Sequence, residues 1–147
     1  MDSIQGLLAI EALREELWAA WTESLPGATE GHEEGGFIVL NADGITTIVR
    51  WPKGEGNRIL VPPHERCRVN GCPILASFHT HPNTGPEYLQ EPSESDICGV
   101  SMDEDLKAAD YLGEVVISAE RIYLVRPDGL VHELGQTGDA LGWQASR

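Results

Sequence analysis

The sequence predicts an α+β fold: a mixed, partly curled β-sheet flanked by an N-terminal helix and a middle helix. Three observations point there. Apolar residues recur at helical spacing through residues 3–24. Short apolar runs bounded by Gly, Pro, Asn and Asp follow between 36 and 81 and again between 114 and 134. A stretch without strand character, 82–112, separates the two groups.

The first helix is expected over 3–24, capped by Ser3 and ended by Pro26-Gly27. Its apolar positions Ile4, Leu7, Leu8, Leu13, Leu17, Trp18 and Trp21 lie three to five apart, and Glu11, Arg14, Glu15 and Glu23 fall mostly on the other side. Both tryptophans read as core anchors. Strands are expected at 36–41 and 45–51, joined by the turn Asn41-Ala42-Asp43-Gly44. Residues 52–58 read as a loop and 59–61 as a short strand. A buried strand is expected over 73–81, stopped by Pro82, which cannot continue a central strand. A Pro/Gly/Glu-rich loop covers 82–92, and Ser93 opens an irregular helical stretch that reaches 112. Strands at 114–118, 121–125 and 130–134 complete the sheet. The last two are joined by Arg126-Pro127-Asp128-Gly129, a strong hairpin signal. From Gly135 the chain reads as a polar tail prone to fray.

The 147 residues suit one domain, 1–147, with a real hydrophobic core. With 41% apolar and 23% charged residues the composition is that of an ordinary globular protein. No apolar run is long enough for a membrane span. Met1-Asp2-Ser3 is acidic and lacks the basic start of a signal peptide, so the expected location is cytoplasmic; export without a signal peptide stays open. The formal net charge of −14 repels phosphates and argues against nucleic-acid binding. It favours a basic partner or substrate, if it does more than keep the protein soluble. Three cysteines, Cys67, Cys72 and Cys98, are an odd number, which fits a reducing compartment and free thiols.

The chemistry is concentrated in Ser77-Phe78-His79-Thr80-His81-Pro82 and Pro92-Ser93-Glu94-Ser95-Asp96. A strand has a side-chain period of two, so His79 and His81 face the same way at its end. That is half of a zinc site. Ser93-x-x-Asp96 has the form of a helix N-terminus, where Asp96 could simply complement the helix dipole. The intervening loop is long enough to fold back, however, and Asp96 would then complete three protein ligands with a fourth position open. That is the pattern of a catalytic zinc, not a structural one. A zinc hydrolase also needs a base, and Glu33 and Glu34, just ahead of Gly35-Gly36 and an apolar strand, supply candidates.

His79-Thr80-His81-Pro82 followed by Ser93-x-x-Asp96, with an upstream Glu before a Gly-apolar strand, resembles the JAMM (MPN+) zinc metallopeptidase family, and within it the compact bacterial JAB-like domains. The motif-bearing part covers roughly residues 30–100, and the order of elements extends the likeness over most of the chain. The resemblance implies a JAB/MPN-like fold with cytidine-deaminase-like layering. It implies one zinc on His79, His81 and Asp96, Glu33 as general base and proton shuttle, and Ser93 holding the tetrahedral intermediate. The family's Glu usually stands three residues before the Gly that opens the strand, which favours Glu33 over Glu34. The implied activity is hydrolysis of a peptide or isopeptide bond, with a peptide, protein or ubiquitin-like conjugate as substrate. Three departures stand out: a longer His81–Ser93 loop, a doubled glutamate, and little room for ubiquitin-binding insertions.

Two rivals stay in view. A non-catalytic scaffold of the same fold would lack metal ligands. A cupin would use His79, His81 and Glu87, with Pro127-x-Gly129-x-x-His132 as a second motif, and would need a closed barrel. His64, Cys67 and Cys72 form an incomplete second metal set with no obvious fourth ligand. His32 reads as plain loop, and Cys98 has no assigned role.

Overall fold

In the computed structural model, which describes residues 3–142, the chain forms one seven-stranded open sheet with helices on both faces. The elements are α1 (Ile4–Leu8), α2 (Glu11–Glu23), β1 (Gly35–Leu40), β2 (Thr46–Arg50), β3 (Arg68–Val69), β4 (Cys72–His81), α3 (Glu94–Ser101), β5 (Glu114–Ser118), β6 (Arg121–Val125), β7 (Val131–Gln136) and α4 (Thr137–Ala140). The strand order is β2-β1-β4-β5-β6-β7, with β3 paired to β4. Only β4 and β5 run parallel. A parallel pair needs a long crossover, and residues 82–113 supply it, carrying α3 across one face. The expected mixed sheet with an N-terminal and a middle helix is present.

Strand alternation sorts the side chains into two cores. Ile38 on β1, Ala76 and Phe78 on β4, Val115 and Ile117 on β5, and Ile122 and Leu124 on β6 meet α1 and α2 on one face. Trp21 belongs to this core and Trp18 packs against it, so both tryptophans are anchors as expected. Phe37, Val39, Ile74, Val116 and Val125 face the other way, against Trp51, Val100, Leu106 and Tyr111. Ser77, His79 and His81 have the parity of this second face.

Several expected elements differ. The N-terminal helix is two helices, because the chain breaks at Ala9–Ile10 and Arg14 Nη1 donates to the Leu8 carbonyl (3.0 Å) that a continuing turn would use. Helix α2 ends with Leu25 in the left-handed region (φ 55°) just before Pro26. Residues 59–61 are not a strand: they cross the second face instead of joining the sheet, and Ile59 and Val61 line a cleft there. The middle helix stops at Ser101, followed by a separate 3₁₀ turn at Glu104–Leu106. The segment from Gly135 does not begin as a loose tail. β7 runs on to Gln136, Thr137 Oγ1 donates to the Ser118 carbonyl at 2.7 Å, and Leu141 is in the first core. The rest of that expected tail lies outside the described residues. An open sheet is not a cupin barrel, and His132 sits exposed on β7 at the sheet edge. Among the described residues no helix is long and apolar enough to cross a membrane.

Candidate metal centre and catalytic cleft

His79 and His81 stand at the end of β4, the strand whose C-terminal end feeds the crossover. Both are buried, at 2% and 8% exposure. Asp96 lies in the first turn of α3 and is brought over them by the returning chain. The Nε2 atoms of the two histidines are 3.1 Å apart. Asp96 Oδ1 lies 3.4 Å from His79 Nε2, and Asp96 Oδ2 lies 3.2 Å from His81 Nε2. Among the described residues this is the one group of His, Cys, Asp or Glu that could hold a metal ion.

The hydrogen bonds behind the rings decide which nitrogens face inward. His81 Nδ1 lies 3.2 Å from the Gln90 carbonyl, which can only accept, so Nδ1 carries the proton. His79 Nδ1 meets the carboxylate of Glu114 and is likewise the donor. In neutral rings both Nε2 atoms then present lone pairs to each other and to a carboxylate. Such a convergence is repulsive unless a cation or a shared proton sits in the middle. Tetrahedral ligands at about 2.0–2.1 Å from a zinc ion lie roughly 3.3–3.4 Å from one another. The two nitrogens at 3.1 Å, and the two Asp96 oxygens at 3.2 and 3.4 Å from them, lie at or just under that spacing, so the donor set fits such an ion with one Asp96 oxygen as the third ligand.

Asp96 is held by the helix it starts. Its Oδ2 accepts from the Ser93 backbone N–H at 2.8 Å, and Ser93 Oγ accepts from the Asp96 N–H at 3.0 Å, a reciprocal capping box. Burial opposes ionisation of Asp96, but hydrogen bonds from His79 and His81 outweigh it and hold the carboxyl far below the usual carboxylate range. For His79, burial disfavours the charged ring, and the charge of Glu114, with hydrogen bonds from the ring to Asp96 and Glu114, overcomes it and raises the imidazole well above its ordinary value.

The doubled glutamate divides by strand parity. Glu34 turns to the first face, where its carboxylate takes Arg50 Nη2 at 2.7 Å and His32 Nε2 at 2.6 Å. His32 is therefore the partner of a buried carboxylate and not plain loop. Glu33 turns to the second face and lines the cleft with His79, Ser93 and Asp96. Burial pushes its carboxyl up to about 7; the nearby His79 and His81 pull against this, and Asp96 and Glu114 add to it. Gly35 and Gly36 make room on opposite sides. A Cβ on Gly35 would lie 2.4 Å from the Trp51 ring, and one on Gly36 would lie 2.9 Å from the Phe78 ring.

Glu114 and Gln90 are the site residues that sequence reasoning missed. Glu114 is buried, supports His79 with one oxygen, and accepts from Ser77 Oγ at 2.8 Å with the other. Ser77 in turn meets the Tyr111 hydroxyl at 2.6 Å. An acidic residue at the start of a strand after the motif was the available signal. The Gln90 contribution is a backbone carbonyl and leaves no trace in residue type. The other sequence candidates lie apart from the metal group. Glu87 is exposed. His64 Nε2 pairs with Asp103 at 2.6 Å, and Cys67, Cys72 and Cys98 are free thiols.

Comparison with known families, with curated proteins and with solved structures finds no match.

Proposed function

We propose that the chain is a zinc-dependent hydrolase of the JAMM type, with JAB/MPN-like layering, that cleaves a peptide or isopeptide bond. The observation that carries this reading is the convergence of His79 Nε2, His81 Nε2 and the Asp96 carboxylate beside the buried Glu33. Three protein ligands leave a fourth tetrahedral position free, as hydrolytic sites require. Zinc, when bound, supplies Lewis acidity toward the scissile carbonyl and makes water acidic enough to attack at neutral pH.

The chain's own groups supply the rest. Glu33 takes the proton of the attacking water and passes it to the leaving amine, a task suited to a carboxyl that titrates near neutrality. Ser93 Oγ accepts from the Asp96 N–H, and its own hydrogen remains to be donated to the developing oxyanion. The substrate is a peptide, protein or ubiquitin-like conjugate. The negative charge of the chain favours basic segments and disfavours nucleic acid.

Metal analysis tests the reading. Purified protein should carry about one zinc per chain, and the His79→Ala/His81→Ala double variant should carry none. Full occupancy in that variant would sink the proposal. Glu33→Ala should keep its zinc and lose hydrolysis. Glu34→Ala should retain turnover per folded molecule and lose stability, because it strips Arg50 and His32 of their partner. A non-catalytic scaffold would show neither zinc nor turnover.

A further inference from the structure

The cleft has two lobes that meet at the metal group. Glu33, Asn57, Ser93 and Asp96 line both. One lobe, of about 210 Å³, is floored by polar groups including Asn83 and Tyr88. The other, of about 240 Å³, runs from His79 along the second core; Phe37, Trp51, Val100 and Leu106, with Ile59 and Val61, supply its apolar lining, and Arg58 and Asp103 add charged groups to it. Each lobe is smaller than the roughly 300–1,000 Å³ of a pocket that encloses a whole small ligand. Two such lobes continuous through a reacting centre suit an extended chain that places one side chain in each.

We infer that the substrate is a peptide bearing a bulky apolar residue next to the scissile amide, and that its side chain fills the Phe37–Trp51–Val100–Leu106 lobe. This rests on the hydrolase reading above and adds a substrate class to it. A glycine would leave the apolar part of that lining unfilled. Leucine, phenylalanine and methionine match its chemistry.

Gly99 makes the lobe testable without harming the fold. It lines the lobe from α3, and a Cβ there meets nothing within 4 Å. Replacing a helical glycine also favours the helix. Gly99→Leu should therefore fold, keep its zinc and narrow the lobe at its exposed rim. Zinc-loaded wild type is given a mixed peptide library and the cleavage sites are sequenced. Leu, Phe or Met should be enriched at one position beside the cut. Gly99→Leu should lower kcat/KM for those peptides by roughly 10-fold or more, and by clearly less for peptides with Ala or Gly at that position. Calorimetric binding of an enriched peptide to Glu33→Gln should weaken in parallel when Gly99→Leu is added. Cleavage with no side-chain preference, or an equal loss on all peptides, overturns the assignment and leaves the hydrolase reading standing. A zinc-loaded wild type that cleaves nothing in the library overturns both.

Discussion

On the proposed mechanism Ser93 has two jobs that use different atoms. Its oxygen caps α3, and its hydrogen is available to the cleft. Loss of a cap alone costs on the order of 1 kcal/mol. Loss of an oxyanion donor costs roughly 10²–10³ in turnover. Ser93→Asp separates the two, since aspartate caps as well as serine but offers no proton and would repel an oxyanion. The variant should melt close to wild type, bind zinc and have turnover reduced by at least about 100-fold. Wild-type turnover in Ser93→Asp would reduce Ser93 to a cap. Thr80 is the quieter residue of the motif. It points away from the metal group, where its Oγ1 accepts from the Glu34 N–H at 3.0 Å and meets Ser24 Oγ at 2.7 Å. The residue between the two histidines thus ties the glutamate-bearing segment to the histidine-bearing strand from behind.

At the scale of elements, the second face is closed by pieces that belong to no strand. His64, in the loop before β3, reaches Asp103 after α3, and its ring packs on Phe37 with centroids 5.4 Å apart. Burial disfavours the charged imidazole, but the Pro62 carbonyl and Asp103, with Asp105 behind, overcome it and raise its pKa above the ordinary 6.5. A group raised in the folded state contributes stability that is fully present below its unfolded pKa. That contribution is lost as pH rises through the folded value. The Tm gap between wild type and His64→Gln should therefore be larger at pH 6 than at pH 9. The part that survives at pH 9 reports ring packing. A gap that does not change with pH would mean the pair carries no charge. Element-level features were unevenly legible in the sequence. The period-two histidines, the Ser93-x-x-Asp96 cap and the Asp128-Gly129 turn are local, so residue type and spacing announce them. Glu114 reaches His79 only through the parallel register of β4 and β5 across the 82–113 crossover, where Ser77 stands opposite Glu114. Nothing in a linear spacing encodes that register. The break at Ala9–Ile10 was hidden because both halves keep one apolar periodicity, and 59–61 looked like a strand because composition does not show whether a neighbour is available to pair with it.

Seen whole, the sheet is a rigid partition between a helical core and a reactive face, and the chain seals the first core with its C-terminal segment. Leu141, 3% exposed, packs there although it follows a stretch that looked polar. Leu141→Ala should cost about 2–5 kcal/mol, as for other buried leucines, read by denaturant unfolding; a change under about 0.5 kcal/mol would show that the segment is not anchored. The metal group, by contrast, depends on no single anchor. His79 is braced by Glu114, His81 by the Gln90 carbonyl, and Asp96 by the Ser93 N–H, and none of these contacts involves an ion. On the proposed reading, each of the three ligands is therefore positioned by a contact that folding itself makes. It would then differ from small domains in which binding and folding are one event. On that reading, stripping the metal with a chelator should abolish hydrolysis and leave the folded structure in place, as circular dichroism would show.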